Sequence, residues 1–168
     1  ALCGESLMGL DVSGDAQLHE RIKEINKVIF RESQQDSKLS GMGTTVAGLA
    51  FLEEGVLAFN VGDSRVYRVR DQFLEKITKD DTSAQALEDA GVFEQGTVRA
   101  KTGHGLLQAL GGSNKFMEVT PNTYVCEFRK KAQFLLCTDG LTDMLGQDEM
   151  ENCLSAESPR TIVDTLFL

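Results

Sequence analysis

Apolar residues recur every three or four positions between residues 15 and 31, and charged residues fill the positions between them. This spacing predicts an amphipathic helix that packs its apolar face on a sheet. His19 falls on the polar side of that helix, so we expect it to be a surface residue. The apolar positions are Leu18, Ile22, Ile25, Val28 and Ile29.

A series of short apolar and β-branched runs follows from residue 44 onward. The runs 44–52, 56–61, 65–70 and 73–77 are joined by short turns, which predicts an antiparallel meander. The run 65–70 alternates arginine with valine or tyrosine, so we expect a half-exposed strand there. The connecting turns are Glu53-Glu54-Gly55, Gly62-Asp63-Ser64 and Asp71-Gln72.

The second half of the chain mixes further helices and strands. A short helix over 83–90 is stopped by Gly91. Residues 92–105 have no clear period and indicate a mobile surface segment that contains His104. The remaining elements expected are a helical turn over 105–110 before paired glycines, strands over 119–127 and 133–137, and helices over 147–154 and 159–168.

The run 133–137 has the length and composition of a buried strand, and it ends abruptly at Thr138-Asp139-Gly140. An ionised carboxylate at such a strand end needs hydrogen bonds or a cation, because burying an unpaired charge is costly. Asp139 is therefore a candidate oxygen ligand for a hard metal ion, beside a glycine that permits a sharp turn. The alternative is a plain turn, since Asp-Gly is a common turn dipeptide.

Two adjacent carboxylates, Asp80 and Asp81, stand where a predicted strand meets the helix over 83–90. Either Asp81 or Thr82 can cap that helix, and acidic residues favour its positive end. Capping accounts for one carboxylate of the pair. It leaves Asp80 without a local explanation.

Composition narrows the class of protein. The 168 residues suit one domain over 1–168, and 41% of them are hydrophobic. The net charge of −9, without a basic stripe, argues against nucleic acid and anionic membrane surfaces as partners. No apolar run is long enough to cross a bilayer, and no secretory signal is present.

The four cysteines are widely spaced and include no Cys-x-x-Cys pair. We interpret them as reduced thiols in a cytoplasmic protein. They are Cys3, Cys126, Cys137 and Cys153.

Five short motifs between residues 41 and 145 follow one another in an order that resembles the metal-dependent serine/threonine protein phosphatases of type 2C. The resemblance is strongest to the compact bacterial members. The motifs are Gly43-Thr44-Thr45, Asn60-Val61-Gly62-Asp63-Ser64-Arg65 with Tyr67, Thr78-Lys79-Asp80-Asp81-Thr82, Ala109-Leu110-Gly111-Gly112 and Thr138-Asp139-Gly140-Leu141-Thr142-Asp143.

The resemblance implies an α+β fold in which two packed antiparallel sheets are flanked by antiparallel helices, an α-β-β-α sandwich that is incomplete here. It implies hydrolysis of phosphoserine and phosphothreonine in proteins by a metal-activated water, so that no side chain is the nucleophile. The cofactors implied are two Mg²⁺ or Mn²⁺ ions, with a third in bacterial members. The partners implied are phosphorylated proteins and a Ser/Thr kinase, and we expect a monomer.

The same resemblance assigns two metal ligands in this sequence. Asp139 matches a ligand of the binuclear centre. Asp80 matches the ligand of the third metal, which Asp139 helps to hold. Supporting roles around the ions fall to Thr138, Gly140 and Asp143.

Other positions match non-catalytic parts of the family pattern. Asp63 and Arg65 match a structural turn, where we expect hydrogen bonding and no metal. Residues 92–105 match the variable flap beside the site.

The sequence also departs from the family pattern. An upstream Glu-Asp pair, an Asp-Gly followed by more glycines and a downstream Asp-Asn are all absent, and Gln108 stands where arginine is common. Residues 1–10 resemble the middle of a helix, and the chain stops at Leu168 without a cap. We therefore expect a truncated domain that binds metal weakly and turns over little, cut from an active parent protein.

Two alternatives remain at this point. One is a catalytically dead relative that uses the same sandwich as a binding or regulatory module. The other is an unrelated acidic β-rich domain whose Asp-Gly pairs are all turns.

Overall fold

The structure, a computed structural model, describes residues 13–53, 55–92, 105–127, 132–154 and 158–166. Nearly all of the predicted flap over 92–105, with His104, lies outside the described residues. The helical segment expected over 1–10 lies outside them as well.

Five α-helices and eight strands make up the described part of the chain. The helices are α1 (Asp15–Gln35), α2 (Ser83–Asp89), α3 (Asp139–Thr142), α4 (Gln147–Cys153) and α5 (Pro159–Leu166), with a 3-10 turn at Ser37–Leu39. The strands are β1 (Gly43–Thr44), β2 (Val46–Leu52), β3 (Gly55–Val61), β4 (Arg65–Arg70), β5 (Phe73–Lys76), β6 (Leu110–Gly111), β7 (Asn122–Cys126) and β8 (Gln133–Cys137).

Two antiparallel three-stranded sheets form the centre of the molecule, in the orders β2-β3-β7 and β5-β4-β8. They are packed against each other through a shared apolar cluster. Strands β1 and β6 form a separate two-stranded ladder. The cluster between the large sheets contains Val56, Ala58, Val66 and Cys126.

Helices α1, α4 and α5 cover the outer faces of these sheets. The apolar side of α1 packs on Leu57, Phe59 and Val61 of β3. Helices α4 and α5 pack on the other sheet through Tyr67 and Leu74. This arrangement confirms the predicted α-β-β-α sandwich. No helix in the described ranges combines the length and the apolar character that crossing a membrane requires.

The four strands β2 to β5 do not form the single meander that the sequence predicts. Strand β3 pairs with β2 and β7, whereas β4 pairs with β5 and β8. The turn Gly62-Asp63-Ser64 therefore carries the chain from one sheet to the other. The meander prediction was wrong because turn residues specify only a local reversal, and both edges of β3 are occupied by other partners.

Two exposure predictions were also wrong. Arg65 and Tyr67 at the start of β4 are buried along with the apolar Val66, since that end of the strand lies between the sheets and α4. His19 is partly buried, because its Nε2 lies 2.9 Å from the carbonyl oxygen of Pro121.

The helical turn predicted over 105–110 is absent from the described structure of that segment. Leu106 instead forms an isolated bridge with Thr82, and Leu110–Gly111 pairs as β6 with β1. Contacts with distant parts of the chain override the short apolar pattern here. Gly111 and Gly112 adopt φ values of 69° and 72°, which is consistent with the sharp path that paired glycines predict.

Candidate functional site

Asp63 and Asp139 lie at the same end of the second sheet. Arg65, the first residue of β4, pairs with Cys137, the last residue of β8. Asp63 stands two residues before Arg65, and Asp139 stands two residues after Cys137. Because β4 and β8 are antiparallel, this register places both chain segments at the same end of the sheet.

Both aspartates line one cavity of about 660 Å³. Burial raises the pKa of the Asp63 carboxyl, and the negative charge of Asp139 raises that pKa further. Thr44, Gln108 and Glu118 are among the other lining residues. The cavity therefore concentrates carboxylate oxygens and negative charge.

This pair of carboxylates suits a hard divalent cation in its donor chemistry. Carboxylate oxygens are the ligands that Mg²⁺ and Mn²⁺ prefer, and a cation between them would relieve the repulsion that raises the Asp63 pKa. Neither Asp63 nor Asp139 forms an ion pair with a cationic side chain of the described ranges. Those ranges contain no cluster of three or more His, Cys, Asp or Glu side chains that could hold a metal. They therefore supply part of a metal site.

Asp80 is engaged by two cationic side chains. Its oxygens accept hydrogen bonds from Arg65 Nε at 3.0 and 3.1 Å and from Arg65 Nη2 at 2.5 Å. Lys76 Nζ lies 2.8 Å from Oδ1. Burial would raise the pKa of Asp80, but the hydrogen bonds from Arg65 and Lys76 outweigh it and lower that pKa.

The structure thus gives Asp80 and Asp63 different surroundings from those expected. Asp80 is paired with nitrogen donors and is not among the residues that line the cavity of Asp139. Asp63, expected in a structural turn, is among the residues that line that cavity. The metal role of Asp80 and the structural role of Asp63 both stay predictions, and of the two residues Asp63 is the one that lines the cavity with Asp139.

Arg65 makes the hydrogen bonds expected of a structural residue. In addition to Asp80, its Nη1 lies 3.3 Å from the hydroxyl oxygen of Tyr67. The pKa of Arg65 is raised above its ordinary value although burial opposes the shift, because Asp80 and Tyr67 accept its hydrogen bonds. The guanidinium therefore remains charged within the sandwich.

The predicted supporting residues surround Asp139 through the backbone. Thr138 is the N-cap of α3, Asp139 is the first helical residue, and Gly140 follows. The Asp143 N–H donates to the Asp139 carbonyl oxygen at 2.8 Å. These contacts hold the start of α3, and the supporting role of Thr138, Gly140 and Asp143 around the ions stays a prediction.

Gln108 lines the cavity and is held by the segment before β7. Its Oε1 accepts from Thr120 N–H at 2.8 Å, and its Nε2 donates to the Thr120 carbonyl at 3.2 Å. A glutamine therefore occupies this position with both ends of its amide hydrogen-bonded to the backbone.

The sequence predicts a structural turn at Asp63 and does not predict that this residue lines the cavity of Asp139. The relevant signal in the sequence is that Asp63 comes just before one predicted strand and Asp139 comes just after another. In an antiparallel pair of strands, these two positions lie at the same end. That signal is informative only when β4 and β8 are known to be neighbours. In addition, the turn Gly62-Asp63-Ser64 already gave a local reason for an aspartate at position 63.

Comparisons with known proteins agree with this architecture. Residues 5–162 match the family described as Protein phosphatase 2C. The serine/threonine phosphatase stp of Listeria monocytogenes is 35% identical over 146 residues, which are 86% of this chain and 56% of that protein. The serine/threonine protein phosphatase PstP of Mycobacterium tuberculosis is 32% identical over 154 residues, 89% of this chain and 29% of that protein.

A solved structure shows the same fold. The catalytic domain of serine threonine protein phosphatase PstP, in complex with two manganese ions, superposes with a TM-score of 0.82 at 31% identity, covering 99% of this chain and 70% of that one. The chain spans a little over half the length of the Listeria relative that it matches.

Proposed function

Because this chain belongs to the protein phosphatase 2C family, we propose that the intact protein hydrolyses phosphoserine and phosphothreonine in phosphorylated proteins. The observation that carries the proposal is the Asp63–Asp139 pair at one cavity. Support comes from the named serine/threonine phosphatases that match more than four fifths of the chain.

Asp63 and Asp139 would hold a divalent cation in this chain, with further ligands supplied outside the described residues. The relative solved with two manganese ions supports such a hard divalent ion as the cofactor. We propose Mg²⁺ or Mn²⁺, with two ions in the intact domain and a third as the resemblance to bacterial members implies. When bound, such ions neutralise phosphate oxygens and lower the pKa of water, so that hydroxide is available near neutral pH. No side chain of the described cavity is proposed as the nucleophile.

Backbone structure fixes both candidate ligands. Asp139 is placed by the end of β8 and the start of α3, and Asp63 is placed by the turn between the sheets. Glu118 adds a third carboxylate to the cavity lining. This concentration of negative charge repels phosphate unless cations are bound, so substrate binding should require the metal.

We place this activity in the cytoplasm, in a monomer that opposes a Ser/Thr kinase acting on the same phosphoproteins. The cysteine spacing and the net charge of −9 support the location and the absence of a nucleic-acid partner.

The test is hydrolysis of a phosphothreonine peptide by the full-length protein, with and without millimolar Mn²⁺. We expect Mn²⁺-dependent phosphate release that Asp139→Ala and Asp63→Ala abolish. Asp71→Asn, which changes a carboxylate in an exposed hairpin turn, should retain activity. Absence of release from folded, Mn²⁺-loaded protein would overturn the enzyme and favour a binding module of the same fold.

A further inference from the structure

We propose that three exposed apolar side chains beside Asp139 form a subsite for an apolar residue that flanks the phosphorylated residue of a protein substrate. The three side chains, which we call the apolar rim, are those of Leu106, Leu107 and Met117. The inference rests on the proposed function, because it places the phosphorylated side chain in the cavity that Asp139 lines. It adds the class of peptide that the site prefers.

The apolar rim belongs to the same cavity as Asp139. Leu106, Leu107 and Met117 are all among the residues that line its volume of about 660 Å³. A cavity of this size can hold a drug-sized molecule, so a phosphorylated side chain would fill only part of it. The remaining space is available to a neighbouring side chain of the substrate.

The side chains of the apolar rim are exposed to solvent although they are large. Leu106 is 42% exposed, Leu107 is 59% exposed and Met117 is 60% exposed. Large apolar side chains gain free energy when they leave water, and a cluster of them on a surface marks a binding site. This cluster adjoins the cavity of the proposed active site, so the substrate itself is the partner that reaches it.

The backbone of the two leucines is held by the segment before α2. The Leu107 N–H donates to the Asp81 carbonyl at 2.8 Å, and Leu106 forms a bridge with Thr82. These contacts use backbone groups, so they fix the positions of both leucines and leave the side chains available to a ligand.

Helix α1 holds the segment that carries Met117. The Nδ2 of the buried Asn26 donates to the Met117 carbonyl at 2.8 Å, and its Oδ1 accepts from the Gly111 N–H at 2.8 Å. Phe116 packs edge-to-face on Phe30 of α1, with the ring centroids 5.4 Å apart. None of these contacts uses the Met117 side chain, which therefore stays exposed at the cavity.

Gln108 joins the two segments of the rim. Both ends of its amide are hydrogen-bonded to the backbone of Thr120, which follows the segment of Met117. The apolar rim is thus assembled before a substrate arrives. A preformed surface of this kind contributes to affinity because little conformational entropy is lost when a ligand binds.

The charges at the cavity select against acidic substrates. Glu118 and Asp139 are among its lining residues, and the described lining includes no lysine, arginine or histidine. Glu118 is exposed and directly follows Met117. An acidic substrate residue near the rim would be repelled by these carboxylates. The occupant that suits both the charge and the apolar surface is an uncharged apolar side chain such as that of leucine.

The test compares phosphothreonine peptides whose flanking residues are all serine with peptides that carry one leucine. The leucine stands at one of the two positions on either side of the phosphothreonine. Side chains two residues apart in an extended peptide lie about 7 Å apart on the same face, so this set samples the surroundings of the phosphate. The full-length, Mn²⁺-loaded protein is assayed for kcat/KM on each peptide and on para-nitrophenyl phosphate, which has no flanking residues.

We expect at least one leucine peptide to exceed the serine peptide in kcat/KM by about fivefold to tenfold, mainly through a lower KM. Within each variant, the ratio of kcat/KM for the two peptides measures the preference. Leu107→Ser and Met117→Ser should each reduce this ratio. Val125→Ser is the matched control and should retain it, because Val125 is 88% exposed and is not among the described residues of this cavity.

The outcomes separate the subsite from the proposed function. Equal kcat/KM for all peptides in the wild type would overturn the subsite while the phosphatase stands. A leucine preference that survives in both Leu107→Ser and Met117→Ser would overturn its assignment to the apolar rim. If another part of the protein covers the rim, both variants will unfold at lower urea concentration with an unchanged preference, which also overturns the subsite. Hydrolysis of no peptide would overturn the proposed function, and the subsite with it.

Discussion

The guanidinium of Arg65, two residues after Asp63, forms a buried ion pair with the carboxylate of Asp80. Nη2 lies 2.5 Å from Oδ2, and Nε lies 3.0 and 3.1 Å from the two carboxylate oxygens. The pair joins the start of β4 to the segment before α2. The pair therefore fixes the strand that follows the inter-sheet turn to the segment whose Asp81 N–H donates to the carbonyl of Gly62 in that turn.

Arg65→Met should lower the free energy of unfolding of the intact protein by about 3 kcal/mol, because it leaves a buried carboxylate with fewer partners. This loss is at the lower end of the range that is usual for breaking a buried ion pair, because Lys76 still pairs with Asp80. Urea unfolding measures it. Arg68→Met removes a more exposed pair with Glu75 and should cost less than about 1 kcal/mol. Equal losses in the two variants would contradict the buried-pair assignment.

The low pKa of Asp80 predicts loss of stability in acid. A carboxylate whose pKa is lower in the folded state stabilises that state above its unfolded-state pKa of about 3.9, and the contribution disappears as pH falls through the folded-state value. Unfolding free energy should therefore decrease as pH falls below about 4.

Urea unfolding between about pH 3 and pH 6 checks this dependence. Asp80→Asn should flatten the acid slope, whereas Asp36→Asn leaves the Arg65–Asp80–Lys76 cluster intact and should retain it. The same slope in Asp80→Asn and wild type would assign the acid sensitivity to other groups.

Gly62→Ala should destabilise the protein more than Gly91→Ala does. Both glycines have positive φ, +97° and +68°, which costs an alanine roughly 1–2 kcal/mol. A Cβ at Gly62 would in addition overlap the Thr45 side chain, while nothing lies within 4 Å of a Cβ at Gly91. Thermal or urea unfolding gives the comparison. A smaller loss in Gly62→Ala would indicate that the turn tolerates a shift of Asp63.

Asp63→Asn should stabilise the metal-free protein at neutral pH by about 0.5–2 kcal/mol and, under the proposed metal role, weaken Mn²⁺ binding. The reason is that the variant relieves burial of a charge and its repulsion from Asp139. Unfolding in the presence of a chelator measures stability, and calorimetry measures binding. Asp71→Asn, in an exposed turn, should change neither quantity. A destabilised Asp63→Asn would show that the Asp63 carboxylate serves the fold.

Local features of the chain were predictable from the sequence. Helix α1 was evident because apolar residues recur with the helical period, and β5 and β8 were evident as short runs between turn residues. Motif order was sufficient for the family and the sandwich, both of which the comparisons confirm. Asp139 could be singled out because a carboxylate directly after a buried run has a recognisable local signature.

Partner choice between distant segments was not predictable. The alternation of arginine with apolar residues over 65–70 is compatible with a strand that faces solvent and with one that faces a buried carboxylate. Arg65 is buried because the tertiary structure places Asp80 next to it as a hydrogen-bond acceptor. The short apolar segment before Gly111 likewise lost its predicted helical turn to pairing with β1.

The sequence by itself determined helix α1, the strands β2 to β5 and β8, and the position of Asp139 at a strand end, because these depend on side chains a few residues apart. Only the tertiary structure decided that β3 and β4 belong to different sheets and that Asp63 joins Asp139 in one cavity. The physical reason is register: pairing of Arg65 with Cys137 connects residues far apart in sequence, and no local spacing encodes that pairing.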